Sequence, residues 1–99
     1  MKIWLDDVRP MPPQFDYWAK TADEAWRKLL DNQENCFISF DHDLGLHYTG
    51  YDLAKRIEID AAEGYLIYPI TWEIHSANPV GRKNIEQAMR SAERFWSHY

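Results

Sequence analysis

Apolar runs that stop abruptly at acidic residues, with helical stripes between them, set the layout of this chain. Residues 2–5 form a short apolar run ending in Asp6-Asp7, the pattern of a buried strand. The segment Arg9-Pro10-Met11-Pro12-Pro13 must be a loop, since three prolines in four positions exclude both helix and central strand. A second, short strand is predicted over 15–20. Thr21 then opens a helix, with Glu24 placed for a capping box and Ala22, Ala25, Trp26, Leu29 and Leu30 as the apolar stripe. Residues 36–40 make the next strand and also stop at acid, in Asp41-His42-Asp43. After a loop over 45–50, a second helix carries Leu53, Ala54, Ile57 and Ala61 on one face and stops at Gly64. A strand within 66–74 begins near Pro69. Asn78-Pro79 starts the last helix, Asn as N-cap and Pro at the first helical position. Its stripe of Ile85, Ala88, Met89, Ala92, Phe95 and Trp96 should face the sheet.

Strands alternating with helices imply parallel pairing through right-handed crossovers. The prediction is one α/β domain over residues 1–99, a three-layer fold around a small, mainly parallel sheet of about four strands. Ligands of such sheets bind beyond the carboxyl ends of the strands. Three polar clusters fall there: Asp6-Asp7, Asp41-His42-Asp43 and His75-Ser76-Ala77-Asn78.

Composition narrows the classes. With 99 residues there is room for one hydrophobic core, and 45% hydrophobic against 27% charged residues excludes a disordered chain. Five tryptophans help so small a core reach stability. Cys36 is the single cysteine, so no intrachain disulfide forms, and its apolar run marks a buried structural thiol. Acidic residues come too early for a signal peptide, and no apolar run reaches the roughly 18 residues of a membrane span. A soluble, cytoplasmic protein is expected. A net charge of −5 argues against a broad nucleic-acid surface, but not against a nucleotide or RNA end delivered to a metal-neutralised site.

Four carboxylates at neighbouring strand ends repel one another without a cation, and hard oxygen ligands suit Mg²⁺ or Mn²⁺. Asp6, Asp7, Asp41 and Asp43 are therefore the candidate metal ligands, against the bland reading that some only cap helices or turns. His42 and His75, beside carboxylates that can orient an imidazole, form a candidate general acid–base pair, with metal ligation as the competing role. His47 and His98 lack such a setting and read as surface residues. The helix start Asn78-Pro79-Val80-Gly81-Arg82 offers free N–H groups and a favourable dipole to an anion. Gly81 would admit a phosphate and Arg82 clamp it; the alternative is an ordinary capped helix with a solvated arginine. Arg9 could hold a phosphate or pair with Asp7.

Asp6 and Asp7 ending the first strand, Asp41 ending the third and Ser76-Ala77 after the fourth resemble a response-regulator receiver domain. Two departures stand out. No helix fits between Asp7 and the second strand, and the receiver's fifth strand with its lysine has no counterpart. The whole chain resembles more closely the cyclic-phosphate processing receiver domain family, through Leu5-Asp6-Asp7-Val8-Arg9-Pro10, Ser39-Phe40-Asp41-His42-Asp43-Leu44-Gly45, Thr49-Gly50-Tyr51-Asp52-Leu53 and His75-Ser76-Ala77-Asn78-Pro79-Val80-Gly81. That resemblance implies a receiver-like, flavodoxin-like fold. It also implies a phosphoesterase acting on a cyclic phosphate, such as the 2′,3′-cyclic ends left by RNA cleavage or a cyclic nucleotide, in RNA repair or bacterial and phage conflict.

In this reading Asp41, His42 and His75 are catalytic, Arg9, Ser76, Asn78, Gly81 and Arg82 hold the substrate, and Asp6, Asp7, Asp41 and Asp43 hold Mg²⁺ or Mn²⁺. The rival is a non-catalytic receiver-like binding module using the same acidic edge. An open sheet edge would also let two copies pair into a homodimer.

Overall fold

The computed structural model describes residues 1–45 and 48–99, so the reading of His47 lies outside the described residues. Four strands, β1 (Lys2–Leu5), β2 (Tyr17–Ala19), β3 (Phe37–Phe40) and β4 (Thr71–Ile74), pair in the order β2-β1-β3-β4, every pair parallel. Helix α1 (Ala22–Leu30) joins β2 to β3, α2 (Gly50–Ala62) joins β3 to β4, and α3 (Pro79–Trp96) follows β4. This is the receiver-like α/β fold expected. Three strands are shorter than predicted, β3 by one residue and β2 and β4 by more. Phe15 closes a turn onto the Pro12 carbonyl before β2 starts, and Leu66 and Ile70 are buried without joining the ladder.

Helix starts follow local chemistry. Thr21 caps α1 by accepting from the Glu24 amide, and Asn78 caps α3 by accepting from the Gly81 amide, with Pro79 at the first helical position. A full capping box at α2 joins Thr49 and Asp52, a Thr-x-x-Asp pattern that the sequence reading passed over as loop. Gly64, at positive φ, follows the last turn of α2 as expected.

The layers are unequal. Both helical crossovers step the same way across the sheet, so right-handed connections put α1 and α2 on one face, and α3 packs along α2. Ile3, Leu5, Ile38 and Phe40 from the sheet join Leu29, Ile57, Ile85 and Met89 from the helices in one core. Each such side chain, fully buried, stabilises the fold by about 1.5–3 kcal/mol. On the other face the layer is the proline-rich β1–β2 connection. Phe15 meets the Trp4 ring edge-on at 5.1 Å, and the Trp4 indole donates to the Arg9 carbonyl at 2.9 Å. The chain thus covers with a loop and two aromatic rings what a helix would otherwise cover.

Register sets the functional edge. Leu5, Phe40 and Ile74 lie in one row across β1, β3 and β4 and point to the helices. Strand alternation then turns the preceding row, Trp4, Ser39 and Glu73, and the following one, Asp6, Asp41 and His75, to the other face. The ladder runs on one step past the strands: Asp6 N–H donates to the Ala19 carbonyl, Asp41 N–H to Leu5, and His75 N–H to Phe40.

Candidate functional site

Asp6, Asp41 and His75 come together on that row. One potential ligand atom from each lies within 4.8 Å of the others. Asp6 is 1% exposed, and its carboxylate is enclosed by donors: Oδ1 accepts from the Val8 and Arg9 amides at 2.8 Å each, and Oδ2 meets His75 Nε2 at 2.9 Å. Burial alone would raise its pKa, but those two amides and His75 together hold it below the ordinary carboxylate value. Asp41 goes the other way. Burial, and then the Asp6 charge beside it, raise its pKa against the opposing pull of the His42 amide, His75 and Arg9. Two carboxyl groups on neighbouring strands are thereby split, one fixed as an anion and the other readier to accept a proton.

His75 leans from the edge strand across β3 to reach Asp6 on β1. Its ring stacks flat on Trp4, 3.8 Å between centroids and 7° between planes, and its Nδ1 lies 2.8 Å from the Ser39 hydroxyl. Ser39, fully buried, donates to Glu73 Oε2 at 2.8 Å. A hydroxyl has one proton, so with Ser39 donating to Glu73 its oxygen is left as an acceptor facing Nδ1, while Nε2 faces the Asp6 carboxylate. His75 is thus tied at both ring nitrogens, in a chain running Asp6–His75–Ser39–Glu73. Ser39 and Glu73 escaped the sequence reading. The available signal was a lone hydroxyl inside the apolar run Phe37-Ile38-Ser39-Phe40, in register with a glutamate on β4.

His42 occupies a second station, at the rim. Its Nδ1 lies 2.9 Å from Asp43 Oδ1, while the Asn78 side-chain amide donates to both Asp43 oxygens at 3.4–3.5 Å. With Nδ1–H directed at Asp43, Nε2 is the nitrogen left for other chemistry. The contact with His42 holds the Asp43 pKa below its ordinary value. Two glycines make this arrangement feasible. A Cβ on Gly50 would overlap the Asp41 carbonyl, and one on Gly81 would overlap the His42 ring. The opening at Gly81, assigned to a phosphate in the sequence reading, is thus filled by His42.

The remaining expected residues sit around these two stations. Asp7 lies outside the trio, its carboxylate close to Gly45 in the loop after β3. Arg9 donates to the His75 carbonyl at 2.8 Å, and Arg82 donates to the Ile74 and Ser76 carbonyls at 3.0 Å, so both brace the end of β4. Each guanidinium has five N–H donors and keeps others for a phosphate. Ser76, buried, accepts from the Asn78 amide at 3.1 Å. His98 is exposed. Cys36 is buried at the far end of β3, and burial pushes its thiol up to about 11.

For a divalent cation, the fit falls on Asp6, Asp41 and His75 rather than on four aspartates. Asp6 Oδ2 accepts a single hydrogen bond, and one Asp41 oxygen takes the His42 amide at 2.9 Å, so each carboxylate retains acceptor capacity. His75 Nε2 can bind a metal only by giving up the proton it shares with Asp6.

The family model for the cyclic-phosphate processing receiver domain matches residues 1–91. No curated protein and no solved structure matches the chain significantly. No helix among the described residues is long and apolar enough to cross a membrane.

Proposed function

The chain belongs to the cyclic-phosphate processing receiver domains, and from that premise we propose that it is a phosphoesterase that opens a cyclic phosphate by hydrolysis. The observation that carries this reading is the split pair beside a clamped imidazole ring: Asp6 held below its ordinary pKa, Asp41 raised, and His75 bonded between Asp6 and Ser39. A non-catalytic anion sensor has no need of a carboxyl group tuned to take a proton.

Proton bookkeeping divides the labour. Both ring nitrogens of His75 are bonded to the protein, so the part left to it is electrostatic rather than proton transfer. Asp41 takes the proton from the attacking water as oxygen bonds to phosphorus. The bond from phosphorus to one ribose oxygen breaks, and His42, held through Nδ1 by Asp43, gives that oxygen its proton from Nε2. The product is a phosphomonoester, and a proton passing from Asp41 to His42 through solvent resets the site. Arg9, Arg82 and the N-terminus of α3 surround the non-bridging oxygens. A bound Mg²⁺ or Mn²⁺ would be the alternative source of positive charge: held by Asp6, Asp41 and an unprotonated His75 Nε2, it would neutralise phosphoryl charge.

The test is turnover of nucleoside 2′,3′-cyclic phosphates by the wild type, with Mg²⁺, with Mn²⁺ and with chelator, beside Asp41→Asn. The expected result is turnover that falls about 10²–10⁴-fold in the variant, the range of a lost general base. A folded wild-type protein that turns over none of these substrates under any of the three conditions would remove the enzyme reading. The binding module would then stand.

A further inference from the structure

We infer that the hollow between the N-termini of α1 and α2 seats the nucleobase of the molecule whose cyclic phosphate is opened, an inference that rests on the phosphoesterase reading. The hollow measures about 380 Å³ and is lined by Ala22, Asp23, Tyr48, Asp52, Leu53 and Arg56. None of these residues has a part in the chemistry above.

Its position is fixed by the same strand ends that carry the site. The Asp6 amide bonds to the Ala19 carbonyl at 3.0 Å, and Ala22 follows three residues later, at most about 11 Å of extended chain. On the other wall, Gly50 rests against the Asp41 carbonyl and donates to the His42 carbonyl at 2.9 Å, with Asp52 and Leu53 in the same helical turn. Both walls therefore rise from residues bonded to the site, on the helix side of the carboxyl edge whose other side carries Asp6, Asp41 and His75, so a ligand spans that edge to reach both.

Its lining matches a planar, amine-bearing heterocycle. Leu53 and Ala22 are buried and form an apolar floor. Tyr48 stands at the rim, 67% exposed, a large ring without a place in the core. The Arg56 guanidinium lies over Trp26 with its centre 4.2 Å from the ring centroid, which holds this lining group in place. Unpaired bases are bound in this way, between aromatic rings and guanidinium planes, with their edges read by polar groups. The polar groups here are acceptors. Asp52 uses Oδ2 for the α2 cap and Asp23 uses Oδ2 for Arg27 at 2.7 Å, leaving Oδ1 of each for an exocyclic amine. Guanine, adenine and cytosine carry such an amine; uracil does not.

The test compares kcat/KM for guanosine 2′,3′-cyclic phosphate, uridine 2′,3′-cyclic phosphate and the base-free methyl riboside 2′,3′-cyclic phosphate in wild type and Tyr48→Ala. A stacking site predicts that the guanosine substrate exceeds the base-free one by about tenfold or more, with uridine between them. Tyr48→Ala should erase most of that margin and leave base-free turnover unchanged. Equal wild-type rates with and without a base, or an equal loss on both in the variant, would overturn the inference while the phosphoesterase reading stands. A separate readout needs no turnover: titration of the folded wild type with guanosine 5′-monophosphate should shift the backbone amides of Ala22, Leu53 and Arg56. Those shifts without turnover of any substrate would keep the base site and remove the phosphoesterase. The absence of both removes both.

Discussion

His75 and His42 each sit one or two residues past a strand of the same sheet, each beside an aspartate, and the fold treats them in opposite ways. His75 is clamped on every side: Asp6 at one nitrogen, Ser39 at the other, Trp4 flat beneath. His42 has a carboxylate at one nitrogen, supplied by the exposed Asp43, and the open backbone of Gly81 against its ring. The first belongs to the structure as much as to the site. The second is held only enough to aim its free nitrogen. A histidine that must stay in place needs both nitrogens bonded, whereas one that must exchange a proton needs a nitrogen left free.

The sharpest way to break this comparison is to delete each ring in turn. His75→Ala leaves the buried Asp6 Oδ2 without its hydrogen-bond partner, a change that costs about 1–3 kcal/mol and more for a charged group. Denaturant unfolding should show that loss, along with the absence of turnover. Converting Asp6 to Asn in the same chain should restore part of the stability and none of the activity, because the uncompensated charge is then gone. If His75→Ala unfolds at the wild-type midpoint, the clamp is not a structural element and the two histidines are alike.

His42→Ala is the counterpart. Turnover should drop by about 10²-fold or more, as for a lost general acid, while stability falls by about 1 kcal/mol, less than for His75→Ala, because the ring packs against Gly81 but holds no buried charge. Measured together, the two variants separate the roles: one ring is lost at a large cost to both fold and function, the other mainly to function. A large stability loss in His42→Ala would place its ring among the packing residues.

Ser39 refines the contrast. Its hydroxyl bonds both His75 and Glu73 from a fully buried position. Ser39→Ala leaves Nδ1 of His75 without a partner, at a cost of about 1–3 kcal/mol. Glu73, on the exposed edge strand, can still be reached by water, so Glu73→Gln should cost less than Ser39→Ala. Thermal midpoints of the two variants measured side by side check that order, and equal losses would argue that the charge on Glu73, not the bond to Ser39, holds His75.

How far all this was legible follows from range. The strand ends at Asp6 and Asp41, the Asn78-Pro79 helix start and the apolar stripes are local patterns, and local patterns survive in a sequence. The convergence of Asp6, Asp41 and His75 also follows once the strands are parallel and in register. What sequence could not show is reach. His75 passes over β3 to bond Asp6 on β1, a choice made by the Trp4 ring on which it lies, and Trp4 reads from sequence only as one more apolar strand residue. Gly81 illustrates the same limit. Its small size signals that something comes close, but not whether that is a phosphate or the His42 ring.

The smallest predicted effect concerns the two aspartates of the split pair, and its sign is opposite for each. Asp6 has a lowered pKa in the fold, so its contribution to stability is present above the unfolded value of about 3.9 and is lost as pH falls through the folded one. Asp41 has a raised pKa. Its protonated form is the favoured one in the fold, so that contribution is present below about pH 3.9 and is lost as pH rises through the folded value. At neutral pH an ionised Asp41 therefore works against folding, and Asp41→Asn should raise the melting temperature at pH 7 while removing turnover. Asp6→Asn should lower the melting temperature at the same pH, and both differences should shrink on acidification below about pH 4. If Asp41→Asn is instead destabilising at pH 7, the carboxylate is being used by the fold rather than strained by it. The case for Asp41 as the proton acceptor would then rest on turnover alone.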